Sequence, residues 1–199
     1  IAERHNLIQD VSNLVFRMVV KEARSLSEKF NVFISINVSS QDLLSESFQR
    51  KVFQMIDELN IKPGMIMMEL TERQSADLNS LQKVISLFND KGISIAIDDF
   101  GTGYSNLNWL SSLQIDEIKI DKSITDSIDE YSISNNLLSG LVEIFKDITH
   151  KVVFEGVETS TQVNYLTEMF PECGVQGWYY SKPLSIDKLT KLVEDANLP

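Results

Sequence analysis

The stretch that decides the fold reads ISIAIDDFGTGYS and covers residues 93–105. Its first five residues are apolar or small, which is typical of a short strand covered on both faces. Two carboxylates, Asp98 and Asp99, follow directly, and glycines permit a sharp turn behind them. Adjacent carboxylates can bridge two metal ions, as two-metal phosphodiester chemistry requires. This stretch therefore predicts a strand that ends in a metal site.

Strands and helices alternate on both sides of this stretch, according to their apolar spacing. The predicted strands cover residues 32–38, 65–70, 93–97, 117–121, 151–157 and 174–180. The predicted helices cover residues 10–30, 47–59, 79–91, 105–113, 134–149 and 186–196, with one more beginning after the capping sequence 159–162. Alternation of this kind predicts βα units, a parallel sheet and an α/β fold. No linker or composition break interrupts residues 1–199, which indicates one domain.

Every predicted strand ends in polar side chains. A single polar residue at a strand end is usually a helix cap or part of a solvated loop, but six in register indicate a site. The carboxyl ends of parallel strands share one side of the sheet, where such folds carry their chemistry. Facing carboxylates repel unless cations lie between them, so the ring predicts a site for Mg²⁺ or Mn²⁺. Its members are Asn37, Glu69, Asp98, Asp99, Lys119, Asp121, Glu155, Glu158 and Gln176.

Composition narrows the class of protein. Hydrophobic residues make up 43% and the net charge is -11, so binding of a nucleic-acid polymer by a basic face is disfavoured. No stretch approaches the ~20 apolar residues of a membrane helix, and no membrane contact by this domain is expected. Cys173 is the single cysteine, which excludes a disulfide framework and a cysteine-based zinc site and fits a reducing compartment.

A kinase interpretation of Asp99-Phe100-Gly101 is disfavoured. A protein kinase would carry an HRD-type catalytic loop and a glycine-rich phosphate loop upstream, and neither is present.

The ordered set of motifs resembles the EAL domain family and covers essentially the whole chain. The motifs are Asn37-Val38-Ser39, Glu69-Leu70-Thr71-Glu72, Asp98-Asp99-Phe100-Gly101-Thr102-Gly103, Lys119-Ile120-Asp121, Glu155-Gly156-Val157-Glu158-Thr159, Gln176-Gly177 and Lys182-Pro183-Leu184. The resemblance implies a (βα)8 TIM-like barrel that hydrolyses cyclic di-GMP to linear pGpG, with two divalent cations, Mg²⁺ or Mn²⁺, and with Ca²⁺ inhibitory.

The resemblance also implies roles for individual residues. One metal would be bound by Asn37, Glu69 and Asp98, and the second by Asp98 and Asp99. The catalytic set would be Lys119, Glu155 and Asp99. Residues that bind the ligand or support the site would be Glu72, Gly101, Asp121, Glu158, Gln176 and Pro183.

The chain departs from the family at its N-terminal side. The Glu-Ala-Leu signature is absent, and six strands are counted where a closed barrel needs eight. We therefore expect residues 1–199 to form a partial EAL domain that lacks its first strands and comes from a longer protein. The absent glutamate would be a metal ligand, so the fragment alone can be inactive.

Three functional interpretations remain open. The first is the phosphodiesterase. The second is an inactive EAL-type module that binds cyclic di-GMP or a protein partner. The third is another small-molecule barrel enzyme, which would leave the motifs unexplained. The resemblance further implies a cytoplasmic domain, a homodimer and an upstream sensory or GGDEF-type domain in a parent protein that can be anchored in the inner membrane.

Overall fold

The structure is a computed structural model that describes residues 8–27, 29–30, 32–71, 77–102, 107–128, 140 and 151–195. Its strands in chain order are β1 (Ile34–Val38), β2 (Ile66–Thr71), β3 (Ser94–Phe100), β4 (Glu117–Ile120), β5 (Lys151–Phe154) and β6 (Gly174–Val175). Its helices are α1 (Ile8–Ser27), α2 (Ser40–Leu44), α3 (Glu46–Leu59), α4 (Leu78–Asp90), α5 (Leu107–Ser112), α6 (Lys122–Thr125), α7 (Ser160–Met169) and α8 (Ile186–Asp195).

The strands form one six-stranded sheet in sequential order, β1-β2-β3-β4-β5-β6. The pairs β1–β2, β3–β4, β4–β5 and β5–β6 are parallel. All four residues of β4 are buried, as are the first five of β2, which fits strands covered on both faces. The predicted α/β fold with a parallel sheet is therefore confirmed, and the described residues contain the six strands that the sequence indicated.

The chain divides into two compact units. The first comprises Ile1–Ile95, Ser112–Gln114 and Leu184–Pro199, and the second comprises Ala96–Ser111 and Ile115–Pro183.

The core of the first unit is built from apolar helix faces and from β2. Phe16 of α1 meets Phe48 of α3 edge to face, with ring centroids 6.1 Å apart. Phe53 and Phe88 bring α3 and α4 together at 4.9 Å. Met68 of β2 is fully buried and fills part of this core.

The core of the second unit lies around β4 and β5. Phe154, at the end of β5, is fully buried and stacks on Phe170 with ring centroids 5.4 Å apart. The N-terminus of α7 has the capping box that the sequence predicted: Thr159 accepts a hydrogen bond from Gln162 N, and Gln162 Oε1 accepts one from Thr159 N. The box fixes the chain immediately after β5, where several of the predicted site residues lie.

The prediction of a last strand over residues 174–180 was wrong beyond Val175. The chain instead turns, since Val157 N donates to Gln176 O and Tyr179 N donates to Val157 O. Gly177 lies so close to this neighbour that a Cβ there would be 2.0 Å from the carbonyl oxygen of Val157. Apolar alternation in the sequence could not reveal this approach of two loops.

The spacing of Leu189, Leu192 and Val193 in the sequence predicts an apolar face of α8 that points inward, and this prediction was wrong within the described residues. Leu189 and Leu192 are 36% and 47% exposed, and no residue of α8 is buried. Periodicity shows that a helix has an apolar face, but it does not supply the surface that covers that face. No described helix is both long enough and apolar enough to cross a bilayer.

Two sequence predictions lie outside the described residues. They are the helix over residues 134–149, of which residue 140 alone is described, and the position of Glu72.

Candidate metal centre

The carboxylates of the second unit come together because β3 is irregular. Its register with β4 shifts between Ile97 and Phe100, and Asp99 has φ 58°, in the left-handed region. Consecutive residues of a regular strand point to opposite faces, so a regular β3 would separate Asp98 from Asp99. The bulge removes that separation, and aspartate is among the residues that tolerate left-handed backbone.

Lys119 lies at the centre of this group of charges. Its ammonium is 2.6 Å from Oε1 of Glu155 and 3.5 Å from Oδ1 of Asp98. The lysine is 4% exposed, which is rare for a charged side chain unless it is paired. Strands β3, β4 and β5 thus each contribute one member at or beside their carboxyl ends, as the sequence predicted for this side of the sheet.

The donor set fits a hard divalent cation. Asp98, Asp99 and Glu155 each offer a carboxylate oxygen, and these oxygens lie within 4.8 Å of one another. Oδ1 of Asp98 is buried and accepts no hydrogen bond from the described part of the chain. Two of these carboxylates, those of Asp98 and Glu155, also contact the Lys119 ammonium. Carboxylate oxygens are the ligands that Mg²⁺, Mn²⁺ and Ca²⁺ prefer.

Two other predicted metal ligands belong to the first unit. Asn37 of β1 and Glu69 of β2 are register partners, so they lie side by side near the carboxyl ends of their strands. Glu69 is 6% exposed, whereas Asn37 is exposed. The turn after Asn37 is held by Ser39, whose hydroxyl accepts from Asp42 N at 3.0 Å and donates to the Asp42 carboxylate at 2.8 Å.

Three residues predicted to bind or support a ligand line one pocket of the second unit. Glu158, Gln176 and Pro183 border a space of about 450 Å³. The sequence interpretation gave no role to three further members of its wall, which are Lys122, Trp178 and Lys182, although Lys182 belongs to one of the motifs. The signal was available for two of them, since Lys122 follows the strand-end residue Asp121 and Lys182 precedes Pro183.

From the sequence we expect Trp109 and Trp178 to be packing residues, but Trp178 is 60% exposed on the pocket wall. The ammonium of Lys182 lies 5.1 Å from the centroid of its indole ring, a cation–π distance. Trp109, in contrast, is 6% exposed and packs as expected.

Lys122 pairs with Glu158 on the wall of this pocket. The ammonium donates a hydrogen bond to Oε1 of Glu158, and Asp126 lies 3.9 Å away. The hydrogen bond to Glu158 raises the pKa of Lys122, so the lysine is charged at neutral pH.

Asp121 and Gly101 contribute to the local backbone. The carboxylate of Asp121 accepts from Ser123 N at 2.9 Å and caps α6. Gly101 has φ 101°, and a Cβ there would meet Ile124 at 2.1 Å, so this position needs glycine.

Comparison with known proteins agrees with the motif order. The family model for the EAL domain matches residues 1–183. The chain is 36% identical over 195 residues to the probable cyclic di-GMP phosphodiesterase PdeB of Escherichia coli K12, covering 98% of this chain and 37% of PdeB. The chain thus spans little more than a third of that relative's length.

Solved structures show the same fold. The EAL domain of Mycobacterium smegmatis DcpA is 28% identical, with a TM-score of 0.85 over 93% of this chain and 84% of that one. The PaMucR phosphodiesterase, solved in complex with c-di-GMP, is 27% identical, with a TM-score of 0.84 over 94% of this chain and 83% of that one. The family match, the ordered motifs and the shared fold lead to one conclusion: this chain belongs to the EAL domain family.

Proposed function

We propose that this domain hydrolyses cyclic di-GMP to linear pGpG with the help of divalent cations. The observation that carries the proposal is the group formed by Asp98, Asp99, Lys119 and Glu155 at or beside neighbouring strand ends, in which Asp98 and Lys119 are buried. Further support comes from PdeB, named a probable cyclic di-GMP phosphodiesterase, and from PaMucR, solved with c-di-GMP.

The reaction joins a water oxygen to phosphorus and breaks the bond from phosphorus to the 3′ oxygen. The phosphate stays on the 5′ oxygen of pGpG, and the freed 3′ oxygen gains a proton. Bound Mg²⁺ or Mn²⁺ would offset the charge of the phosphodiester and make water a better nucleophile. By resemblance to the family, Asn37 and Glu69 would also serve as metal ligands. We expect Ca²⁺ to bind without supporting turnover, because it accepts irregular coordination.

The protein's own charges explain the remaining roles. Lys119 brings a fixed positive charge beside the carboxylates, where it can orient the attacking water and stabilise charge that develops on the phosphate oxygens. Glu155 holds that ammonium through the 2.6 Å contact. The pocket beside Glu158 and Gln176 would receive part of the dinucleotide outside the scissile phosphate.

Several finer features belong to the same proposal. We infer a cytoplasmic domain, because the free Cys173 thiol fits a reducing compartment. A homodimer and an upstream sensory or GGDEF-type domain would fit a signalling role like that named for some relatives, such as the signaling protein YkoW of Bacillus subtilis.

The test is single-turnover conversion of cyclic di-GMP to pGpG by the natural full-length protein, with saturating Mg²⁺ or Mn²⁺ and chromatographic detection. The matched control is the Asp98→Asn, Asp99→Asn double variant, which keeps side-chain size and the left-handed backbone at position 99. Wild-type cleavage that the control lacks supports the enzyme. If the wild type binds cyclic di-GMP tightly but does not cleave it, the domain is an inactive module that binds cyclic di-GMP and not a phosphodiesterase.

A further inference from the structure

Lys122 contacts the turn Glu155–Glu158 at two points. Its aliphatic stem lies on Gly156: a Cβ at that glycine would be 2.3 Å from the Cγ of Lys122 and 2.7 Å from both its Cβ and its Cδ. Its ammonium pairs with Glu158. The aliphatic part of Lys122 therefore covers Gly156, and its ammonium holds the carboxylate of Glu158.

The backbone of the same turn is anchored by other groups. Glu155 N donates to Ile120 O at 3.0 Å, and Glu158 N donates to Oε1 of Gln162 at 2.8 Å. These two hydrogen bonds fix the backbone of the turn, but neither of them holds the carboxylate of Glu158. Within the part of the chain that the structure describes, Lys122 is the cation that pairs with this carboxylate.

The pair matters because Lys122 and Glu158 both line the pocket of about 450 Å³. The whole chain carries a net charge of -11, and the substrate proposed above is an anion. An uncompensated carboxylate on the pocket wall would repel that anion. Paired with Lys122, the same carboxylate is neutralised and its oxygens keep one position.

We propose that Lys122 is a positioning residue that holds and neutralises Glu158, so that the pocket accepts an anionic dinucleotide. The inference rests on the proposed function and deepens it, since it assigns substrate affinity to a residue outside the metal centre. Lys122 acts through Glu158 and has no part in the chemical step. Its loss should therefore change KM much more than kcat.

The experiment measures kcat and KM for cyclic di-GMP in the natural full-length protein and in its variants. Lys122→Met keeps most of the stem over Gly156 and removes the charge, so we expect KM to rise about tenfold with kcat within about twofold. Lys122→Arg should restore most of the affinity. The rise in KM should shrink as salt increases from about 0.05 M to about 0.5 M, because exposed charges are screened.

A double-mutant cycle isolates the link to Glu158. In a Glu158→Gln background, adding Lys122→Met should change KM by less than about twofold. The matched control is Asp126→Asn, which removes the other carboxylate beside Lys122 but does not line the pocket. We expect this control to leave KM within about twofold of the wild type.

Two results overturn the inference while leaving the proposed function intact: an unchanged KM in Lys122→Met, or the same rise in KM with and without Glu158. The second result would show that Lys122 touches the substrate directly. A wild-type protein that neither binds nor cleaves cyclic di-GMP overturns the proposed function, and the inference falls with it.

Discussion

The ammonium of Lys119 lies 2.6 Å from Oε1 of Glu155, and the two side chains are 5% and 17% exposed. This contact joins the end of β4 to the residue that follows β5. A buried ion pair is stabilising only when both charges are well compensated. The carboxylate of Asp98, 3.5 Å from the same ammonium, also compensates the charge of Lys119. Structure and chemistry therefore depend on the same three charges.

Removing one charge of this group should reduce hydrolysis strongly. We expect Lys119→Ala and Glu155→Ala each to lower the single-turnover rate by ~10²–10³, the usual effect of losing one preorganised electrostatic contact. Lys119→Ala should keep much of its affinity for cyclic di-GMP, which a parallel binding measurement checks. Glu155→Ala can weaken binding as well.

Loss of folding must be separated from loss of chemistry in these variants. Lys119→Ala removes the cation beside the buried Asp98 carboxylate, and breaking a buried ion pair can destabilise a protein by about 3 to 5 kcal/mol. Circular dichroism should therefore accompany the rates, with Lys62→Ala as the control lysine in an exposed turn. Rates near the wild-type value in both folded variants would show that the strand-end group is not the catalytic centre.

Metal affinity should depend on the carboxylates of the bulged strand. We expect Asp98→Asn to weaken Mn²⁺ or Mg²⁺ binding at least about tenfold, because a neutral amide is a poorer ligand for a hard cation. Calorimetric titration measures the change, with the exposed Glu172→Gln as control. Equal affinity in Asp98→Asn and wild type would refute the ligand assignment.

The close approach of two loops at Gly177 should make this position intolerant of a side chain. A Cβ there would be 2.0 Å from the oxygen and 2.3 Å from the nitrogen of Val157, so backbone must shift. We expect Gly177→Ala to lower the free energy of unfolding by about 2 kcal/mol or more. Urea denaturation checks this.

Gly64→Ala is the matched control, since φ at Gly64 is 78° but a Cβ would meet nothing within 4 Å. It should cost only the left-handed backbone strain of about 1 kcal/mol. If both variants lose the same free energy of unfolding, a side chain at position 177 meets no more steric hindrance than one at position 64.

The cap of α4 should make stability depend on pH. The side chain of Ser80 donates to the Asp77 carboxylate at 2.7 Å and the Ser80 backbone N–H donates to it at 2.9 Å, and these bonds lower the pKa of Asp77 from its ordinary value. A carboxylate whose pKa is lowered in the folded state adds stability above its unfolded pKa. That stability is lost as the pH falls through the folded value.

Asp77→Asn should therefore be less stable than wild type at about pH 6, and the difference should fade near pH 3 and below. Asparagine still caps a helix but does not titrate. Urea denaturation across this range tests the effect, with Thr159→Ala as the control, because that variant removes a neutral cap. A difference for Asp77→Asn that stays constant with pH would contradict the linkage.

The strands and the strand-end residues could be predicted because they depend on local pattern. Apolar runs between turn residues located six strands, and the polar residues at or near their carboxyl ends included Asp98, Lys119 and Glu155, which the structure brings into contact. The capping box at Thr159 was equally local. The charge pair of Lys122 with Glu158 was missed, because 36 residues separate its members and neither pattern nor spacing connects them.

The sequence by itself determined the α/β class, the order of strands along the chain and the family, because hydrophobic periodicity and the order of motifs can be read directly from the amino-acid sequence. The tertiary structure decided which charges meet. The left-handed backbone at Asp99 brings two consecutive carboxylates into one cluster, and the loop contact at Gly177 ends the last strand after Val175. The first accompanies the register shift of β3 against β4 and the second depends on Val157, so both involve pairings that only the folded backbone fixes.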